Sequence, residues 1–472
     1  VVIVKIYKEN IMDLFKKISI DSIKESSTNS GLKRNLTAFD LVLLGLGVII
    51  GSGVFVFTGL VAAKHAGPAI MLSYGIAGVT CIFVALAYAE LASMLPTSGS
   101  VYSYSYVAFG ELIAWVMGAV LVLELSLGAA AVAAGWSAYV QGLFEIGGWK
   151  LPAYLSNVYS AGGFVNLPAM LISCAVGGVL YQGISDTKKL NATLVLIKLL
   201  AISVFIVSAI PNFKAEYWQD FMPFGFDDVL IGASFLFFAF TGFGSLATTA
   251  EECKNPKKDL LIGIIGSLVL STIVYIVVAG LVTGIAPLSI LNDAQALAKA
   301  LQFNGNNTGS MVVAIGAVCG MTTVIMVNIY AQSRVLYVMS RDGLLPKIFS
   351  KLHVKHDNPH FTILILTAIT ALISGFIPYG IVGQLSSMGS LIDYIAISLI
   401  VMIFRVKYPE ITRAFKCPGL FIIAPIAVVS CFYLLIKQII KDGALLITGK
   451  ILFFWIFVVV LLYVVYKAYQ KK

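Results

Sequence analysis

The sequence predicts an all-α polytopic membrane protein of about 12 transmembrane helices, ten of them in two inverted groups of five and two appended. Three observations carry this reading. Mean hydropathy is +0.95, and 59% of the 472 residues are hydrophobic against 12% charged, about half the charged fraction of a soluble domain. Apolar runs of roughly 20 residues, enough to cross about 30 Å of hydrocarbon, recur near 40–63, 68–94, 110–143, 167–186, 189–210, 228–250, 260–284, 311–339, 361–378, 381–404, 419–437 and 450–467. The first and sixth of these runs are interrupted at their middles by glycine.

Taken in order, residues 1–36 carry seven Lys/Arg without a long apolar stretch or a small-residue cleavage site, which predicts a cytosolic tail rather than a cleaved leader. Five spans then fill 37–211. The polar stretch Asn212–Asp227 separates them from the next five, over 212–405, and residues 406–472 hold the two additional helices and a short C-terminal tail. Five is odd, so the second group enters the membrane from the opposite side, the arrangement of an inverted repeat. The longest connections, 286–309 and 340–359, are too short for a catalytic or ATP-binding module.

The formal charge of +9 matters less than its distribution. With the N-terminus inside, alternation places most of the Lys/Arg, including Lys188, Lys189, Lys254, Lys257, Lys258, Arg341, Lys347, Arg405 and Lys407, on the inner side. That satisfies the positive-inside rule and predicts a multi-pass protein of the plasma (inner) membrane with both termini cytoplasmic and no nucleic-acid partner. The six cysteines are dispersed without a C-x-x-C pair, and the four histidines, His65, His353, His356 and His360, fall in predicted loops. No disulfide framework, metal site or cofactor is expected.

In the first span Gly45-x-Gly47 leads through Ile49 and Ile50 into Gly51-Ser52-Gly53. In the sixth, Phe240-Thr241-Gly242-Phe243-Gly244 interrupts the run. An unpaired backbone group in hydrocarbon costs several kcal/mol, so a helix unwinds at mid-membrane only where protein or a wet cavity satisfies it. The half-helix N-terminus around Ser52, Gly53 and Val54 would present N–H groups to a carboxylate, and carbonyls near Val48, Ile49, Phe240 and Thr241 would face an ammonium. An α-amino acid carries both. The alternative is that the glycines serve close helix packing alone.

Lys198 lies about nine residues from Lys189, roughly 13 Å along a helix, beyond what its stem spans by snorkelling. A central lysine costs at least about 2.5–3.5 kcal/mol on insertion scales and normally faces the bundle interior. It is expected to meet carbonyls of the first break and the hydroxyl of Thr322 or Thr323, as a proton carrier or as a fixed structural cation. Glu124 lies deep in the third span, where it would neutralise a cationic substrate, stabilise Lys198 or bond hydroxyls. Asp393 is the other deep carboxylate. Glu90 and Arg334 sit nearer inner ends, as gating ion pairs or interfacial residues, and Phe240, Phe243 and Tyr104 could cap the site.

These residues resemble a known family. Leu32-Lys33-Arg34-Asn35-Leu36-Thr37-Ala38-Phe39-Asp40-Leu41, Gly51-Ser52-Gly53-Val54-Phe55, Tyr88-Ala89-Glu90-Leu91-Ala92, Phe238-Ala239-Phe240-Thr241-Gly242-Phe243, Glu251-Glu252-Cys253-Lys254-Asn255-Pro256 and Ser340-Arg341-Asp342-Gly343 are similar to the amino acid, polyamine and organocation (APC) superfamily, and within it to the cationic amino acid transporter branch. The resemblance implies a LeuT-type 5+5 inverted repeat and amino acid transport by alternating access. It further implies a fifth-helix lysine at the ion position of sodium-coupled relatives, which falls on Lys198. Thr322 and Thr323 fall on its eighth-helix hydroxyl pair and Glu124 on the branch's third-helix glutamate. The chain departs at Gly244, Leu125 and Asp393.

The expected function is therefore secondary active amino acid transport by proton-coupled symport, not an enzymatic reaction, with an amino acid, a proton and the lipid bilayer as partners. The expected substrate is a small or cationic amino acid. Substrate contacts are expected from Ile49, Ile50, Gly51, Ser52, Gly53, Glu124, Phe240, Thr241 and Phe243, and proton coupling from Lys198, Thr322 and Thr323. An amino acid or polyamine exchanger is the alternative within transport, and a non-transporting membrane sensor the alternative outside it.

Overall fold

The computed structural model describes residues 16–28, 34–353, 358–441 and 448–470. Part of the tail expected over 1–36, with Leu32 and Lys33 of the quoted motif, lies outside the described residues, as do His356 and the last two residues. Helices make up nearly everything that is described. No β-strand occurs among the described residues, only isolated bridges at Leu36–Cys253 and Val158–Phe164.

Among the described residues, nine helical stretches are long and apolar enough to cross a membrane, and two shorter apolar helices, Leu167–Tyr181 and His360–Phe376, accompany them. One of the nine, Ala38–Met94, runs 57 residues and contains two passes joined at Gly67, whose φ of 57° turns the chain. The spans thus begin with Ala38–Ile49 continued by Gly53–Ala66, then Ile70–Met94, Glu111–Ile146, Leu167–Tyr181 and Ile184–Ala209. The sixth is Phe226–Leu236 continued through Phe237–Phe240 and Phe243–Glu252. Pro256–Ile285, Asn307–Arg341, His360–Phe376, Tyr379–Lys407, Leu420–Lys441 and Thr448–Gln470 complete the set. Two histidines expected in loops are helical: His65 ends the outer half of the first span and His360 opens the ninth.

Packing follows a reciprocal pattern. The second span lies on the seventh, the third on the eighth and the fourth on the ninth. The fifth against the eighth is matched by the tenth against the third, and the seventh against the first by the second against the sixth. Each contact maps onto itself or its counterpart when spans one to five are exchanged with six to ten. Large apolar residues such as Leu200, Val207, Ile273, Val429, Phe453 and Phe457 remain exposed around the outside, the surface a bilayer would cover.

Local chemistry fixes where the first span begins. Thr37 caps it: Asp40 N–H approaches Thr37 Oγ1 (3.4 Å), while Thr37 donates its own N–H to Asp40 Oδ2 (2.9 Å), a reciprocal capping box. Just before this cap, Asn35 and Leu36 donate their N–H groups to the Glu252 carbonyl (2.9 and 3.0 Å), and Lys254 N–H returns to the Leu36 carbonyl (2.8 Å). The start of one broken span is thereby tied to the end of the other.

Both described ends reach one face of the bundle: Glu111 N–H donates to the Lys16 carbonyl (3.0 Å), and Lys467 pairs with the Glu111 carboxylate (2.5 Å). Glu90 and Arg334 are buried there in ion pairs rather than interfacial. Glu90 meets Arg405 (2.5 Å) and Arg413 (3.1 Å), joining the second span to the tenth and the chain that follows it. Arg334 meets Glu252 at 2.6 Å with both side chains fully buried, and Arg341 grips Glu251 with two nitrogens (2.9 and 3.0 Å). These last two pairs clamp the sixth span to the eighth. Removing one partner of a buried pair strands the other charge, a loss of about 3–5 kcal/mol. Arg334→Met is therefore expected to lower the melting temperature of the purified protein sharply, with Arg334→Met combined with Glu252→Gln recovering part of it. An unshifted single variant would contradict the clamp.

Candidate functional site

The first span loses its helix at two residues. Ile50 is extended (φ −78°, ψ 99°) and donates its N–H to Leu46 (3.1 Å), the last bond of the inner half. The outer half starts its ladder with Phe55 N–H to the Gly51 carbonyl (3.3 Å) and is wound as a π-helix over Gly53–Phe57. The N–H groups of Ser52, Gly53 and Val54 thus precede the first bond, as at any helix N-terminus. Glycine is required by what lies opposite. A Cβ on Gly51 would meet Val324 at 2.5 Å, and one on Gly53 would meet the Ala239 Cβ at 2.4 Å. Gly45 and Gly47 lie within continuous helix, where they admit Ser267 and Asn191; for these two the packing explanation holds.

The carbonyls exposed by this break are satisfied from the fifth span. Lys198 is fully buried while its neighbours Leu196 and Leu200 face outward. Its Nζ donates to the carbonyls of Leu46 (2.7 Å), Gly47 (2.9 Å) and Ile50 (2.7 Å) and approaches Thr323 Oγ1 (3.1 Å). The Thr323 hydroxyl in turn lies 2.7 Å from the carbonyls of Gly47 and Gly320. An ammonium has three protons, and these oxygens take all of them. No carboxylate pairs with Lys198 among the described residues. Thr322 is not part of this cluster: it donates to the Val318 carbonyl (2.8 Å) and accepts from Trp136 Nε1 (3.1 Å).

In the sixth span the α-helix tightens to a 3₁₀ turn over Phe237–Phe240 and then stops. Thr241 is extended (ψ 145°) and Gly242 takes φ 103°, a conformation L side chains rarely adopt. The chain resumes as a 3₁₀ helix, Phe243–Glu252. Tyr275, from the seventh span, joins the two breaks: its hydroxyl lies 2.5 Å from the Ile49 carbonyl and 2.9 Å from that of Ala239, sharing one donor between them. Tyr74 donates to the Gly53 carbonyl (3.0 Å) and Tyr139 to that of Phe55 (2.8 Å).

Between the breaks runs a narrow cavity lined by Val48, Ile49, Gly51, Ser52, Gly53, Gly128, Val132, Phe238, Thr241, Val324 and Asn328. It brings together five of the expected contact residues: Ile49, Gly51, Ser52, Gly53 and Thr241. Ser52 Oγ and Asn328 Oδ1 are buried there without a hydrogen-bond partner in the protein. Four expected contacts lie elsewhere. Ile50 offers its carbonyl to Lys198. Phe240 packs edge-on against Tyr74 and Tyr275, and Phe243 stacks on Tyr394 (4.8 Å between centroids). Glu124 turns toward the tenth span, accepting from Ser390 Oγ (2.5 Å). Tyr104 is buried against Tyr88 rather than lining the cavity. Sequence reasoning missed Tyr275, Tyr74, Tyr139 and Asn328. A buried tyrosine or asparagine needs a partner for its polar end, and that was the available signal.

Two breaks in such close contact leave no room for a methyl group. Gly53→Ala is expected to cost about 1–3 kcal/mol of stability by overpacking and to abolish substrate binding, whereas Gly75→Ala, facing open space, should bind as the wild type does. Thermal denaturation and ligand binding on purified protein distinguish them. Equal behaviour of the two variants would refute the contact.

The amino acid permease family model matches residues 36–465. The branched-chain amino acid permease BcaP of Bacillus subtilis (strain 168) is 41% identical over 451 residues, covering 93% of this chain and 97% of the relative. The methylthioribose transporter of the same organism is 39% identical over 422 residues, 89% of this chain and 92% of the relative. Cationic amino acid transporter 4 of Mus musculus is 34% identical over 415 residues, 84% of this chain and 64% of the relative. These relatives are named as permeases and transporters, not enzymes. The glycine-broken spans and their satisfied backbone ends therefore stand in a chain that belongs to the amino acid permease family of the APC superfamily.

Proposed function

We propose that this permease carries a small apolar amino acid together with a proton, by alternating access around the paired breaks. The observation that carries the substrate class is the lining of the cavity. Val48, Ile49, Val132, Phe238 and Val324 offer an apolar wall beside two helix ends, and no carboxylate lines it. The substrate carboxylate would be held by the N–H groups of Ser52 and Gly53 with the Ser52 hydroxyl, and the ammonium by carbonyls near Val48 and Thr241. A cationic side chain would find no counter-charge, because Glu124 faces the tenth span. Among the relatives, one is named for branched-chain amino acids, one for methylthioribose and one for cationic amino acids; the cavity lining favours the first of these classes.

Proton coupling rests on Lys198. Its amine occupies the place where carbonyls of the inner half lack helical donors, so gain or loss of its proton would change how well the first break is held. Thr323 shares one of those acceptors, the Gly47 carbonyl. One positive charge crossing about 100 mV supplies about 2.3 kcal/mol, enough for roughly 50-fold accumulation. The chain would then divide at 211/212 into two five-span repeats, with residues 406–472 appended. The ends of the chain would face the cytoplasm across the plasma membrane.

Two outcomes test this reading in liposomes of purified protein. An inward proton gradient is expected to drive leucine or valine accumulation that a protonophore abolishes and excess arginine does not compete away. Uptake only against an internal counter-substrate would indicate exchange, and binding without flux a sensor. Separately, Lys198→Ala and Lys198→Met are expected to abolish gradient-driven accumulation. Uptake with an unchanged pH profile in either variant would remove Lys198 as the carrier.

A further inference from the structure

A second polar nucleus lies where the third span crosses the tenth. The two helices interlock closely here: a Cβ on Gly389 would meet the Glu124 Cβ at 3.0 Å, and one on Gly128 would meet Ser386 Oγ at 3.1 Å. Ser386 donates to the Glu124 backbone carbonyl (3.0 Å) and Ser390 to Glu124 Oε1 (2.5 Å). The remaining carboxyl oxygens receive nothing. Glu124 Oε2 and both side-chain oxygens of Asp393 are buried and accept no hydrogen bond from a donor group of the protein. Asp393 follows Gly389 and Ser390 by one turn of the tenth span, which brings its carboxyl beside that of Glu124, with Glu124 4% and Asp393 2% exposed.

Among the described residues, the titratable groups placed against this pair are tyrosine hydroxyls. Tyr88 approaches from the second span and Tyr394 from the tenth span itself, with Tyr104 of the short helix Val101–Ala108 packed on Tyr88. Phe243 of the sixth span covers Tyr394. The eighth span supplies the neutral side chains of Asn328 and Gln332, the latter bound by Ser126. The hydroxyls of Tyr104 and Tyr394 are themselves buried without partners. Neither carboxyl forms an ion pair with a Lys, Arg or His among the described residues.

Two touching carboxylates cannot both stay ionised in a low-dielectric interior, and the stable arrangement is one acid donating its proton to the other's anion. We propose that Glu124 and Asp393 hold a single proton between them, forming a proton site distinct from Lys198 that fastens the third span to the tenth. The site adjoins the cavity: Glu124 and the cavity-lining Gly128 are four residues apart on one helix face, about 6 Å along the axis. Protonation supplies the one donor that the three bare oxygens lack. Its loss places two negative charges side by side and drives the spans apart. The pair titrates as a unit, so its proton belongs to neither residue alone.

Infrared spectroscopy of the purified protein in deuterated buffer reads this directly and does not depend on Lys198 or on the identity of the substrate. The wild type is expected to show the carbonyl band of an un-ionised carboxylic acid at neutral pH, lost on alkalinisation, shifted in frequency in both Glu124→Gln and Asp393→Asn, and missing when the two are combined. Thermal stability should fall as the band is lost, while Glu124→Gln combined with Asp393→Asn, which keeps a hydrogen bond without the proton, should melt independently of pH over that range. Absence of a titrating band in the wild type would overturn the proposal, as would an unshifted band in either single variant. A melting temperature raised by sodium at alkaline pH, with no acid band, would make the pair a cation site instead.

Discussion

The placement of one amine governs this molecule. A helix opened at mid-membrane exposes carbonyls that lipid cannot satisfy, and Lys198 supplies donors to three of them from a neighbouring span. Neither feature is stable alone: the break without the amine leaves orphan acceptors, and the amine without the break is a bare charge in hydrocarbon. Together they convert two separately costly elements into one connected site. The cation is held by dipoles and a hydroxyl instead of a carboxylate.

Around that junction the two breaks are built as a single object. Gly53 rests on Ala239, Gly242 leaves room for Val48, and the Tyr275 hydroxyl serves a carbonyl from each. The chain entering the first span is bonded to the chain leaving the sixth at Leu36 and Glu252. Movement of one broken span would therefore carry the other, as a bundle drawn from both repeats and moving as one body would require. Ion pairs clamp the sixth span to the eighth at the face that bears both ends, and a different kind of junction, made of carboxyls and serines, fastens the third to the tenth.

Much of the fold was legible because its signals are strong and local. Length and apolarity fix a transmembrane helix, and a glycine cluster inside such a run has few explanations. Lys198 was legible for the same reason, since nothing else polar lies near it in sequence. The direction in which a side chain points was less accessible. Glu124 and Phe240 sit on the right helices but face the tenth span and the tyrosines Tyr74 and Tyr275, and of the adjacent threonines only Thr323 is turned to the lysine. Helix rotation is set by packing against neighbours far away in the chain. The pairing of Asp393 with Glu124 joins residues 269 positions apart, and no local pattern announces it. Gly45 and Gly47 were misleading for a related reason: glycine permits close approach as readily as it permits a break.

The most direct measurement follows protons and substrate at once. In liposomes holding a pH-sensitive dye, with no imposed proton gradient, an inward leucine gradient across wild-type protein should acidify the interior as leucine enters. Lys198→Met should abolish that acidification. Leucine entry through the wild-type protein at constant internal pH would contradict the claim that the amine at the first break carries a proton through the cycle.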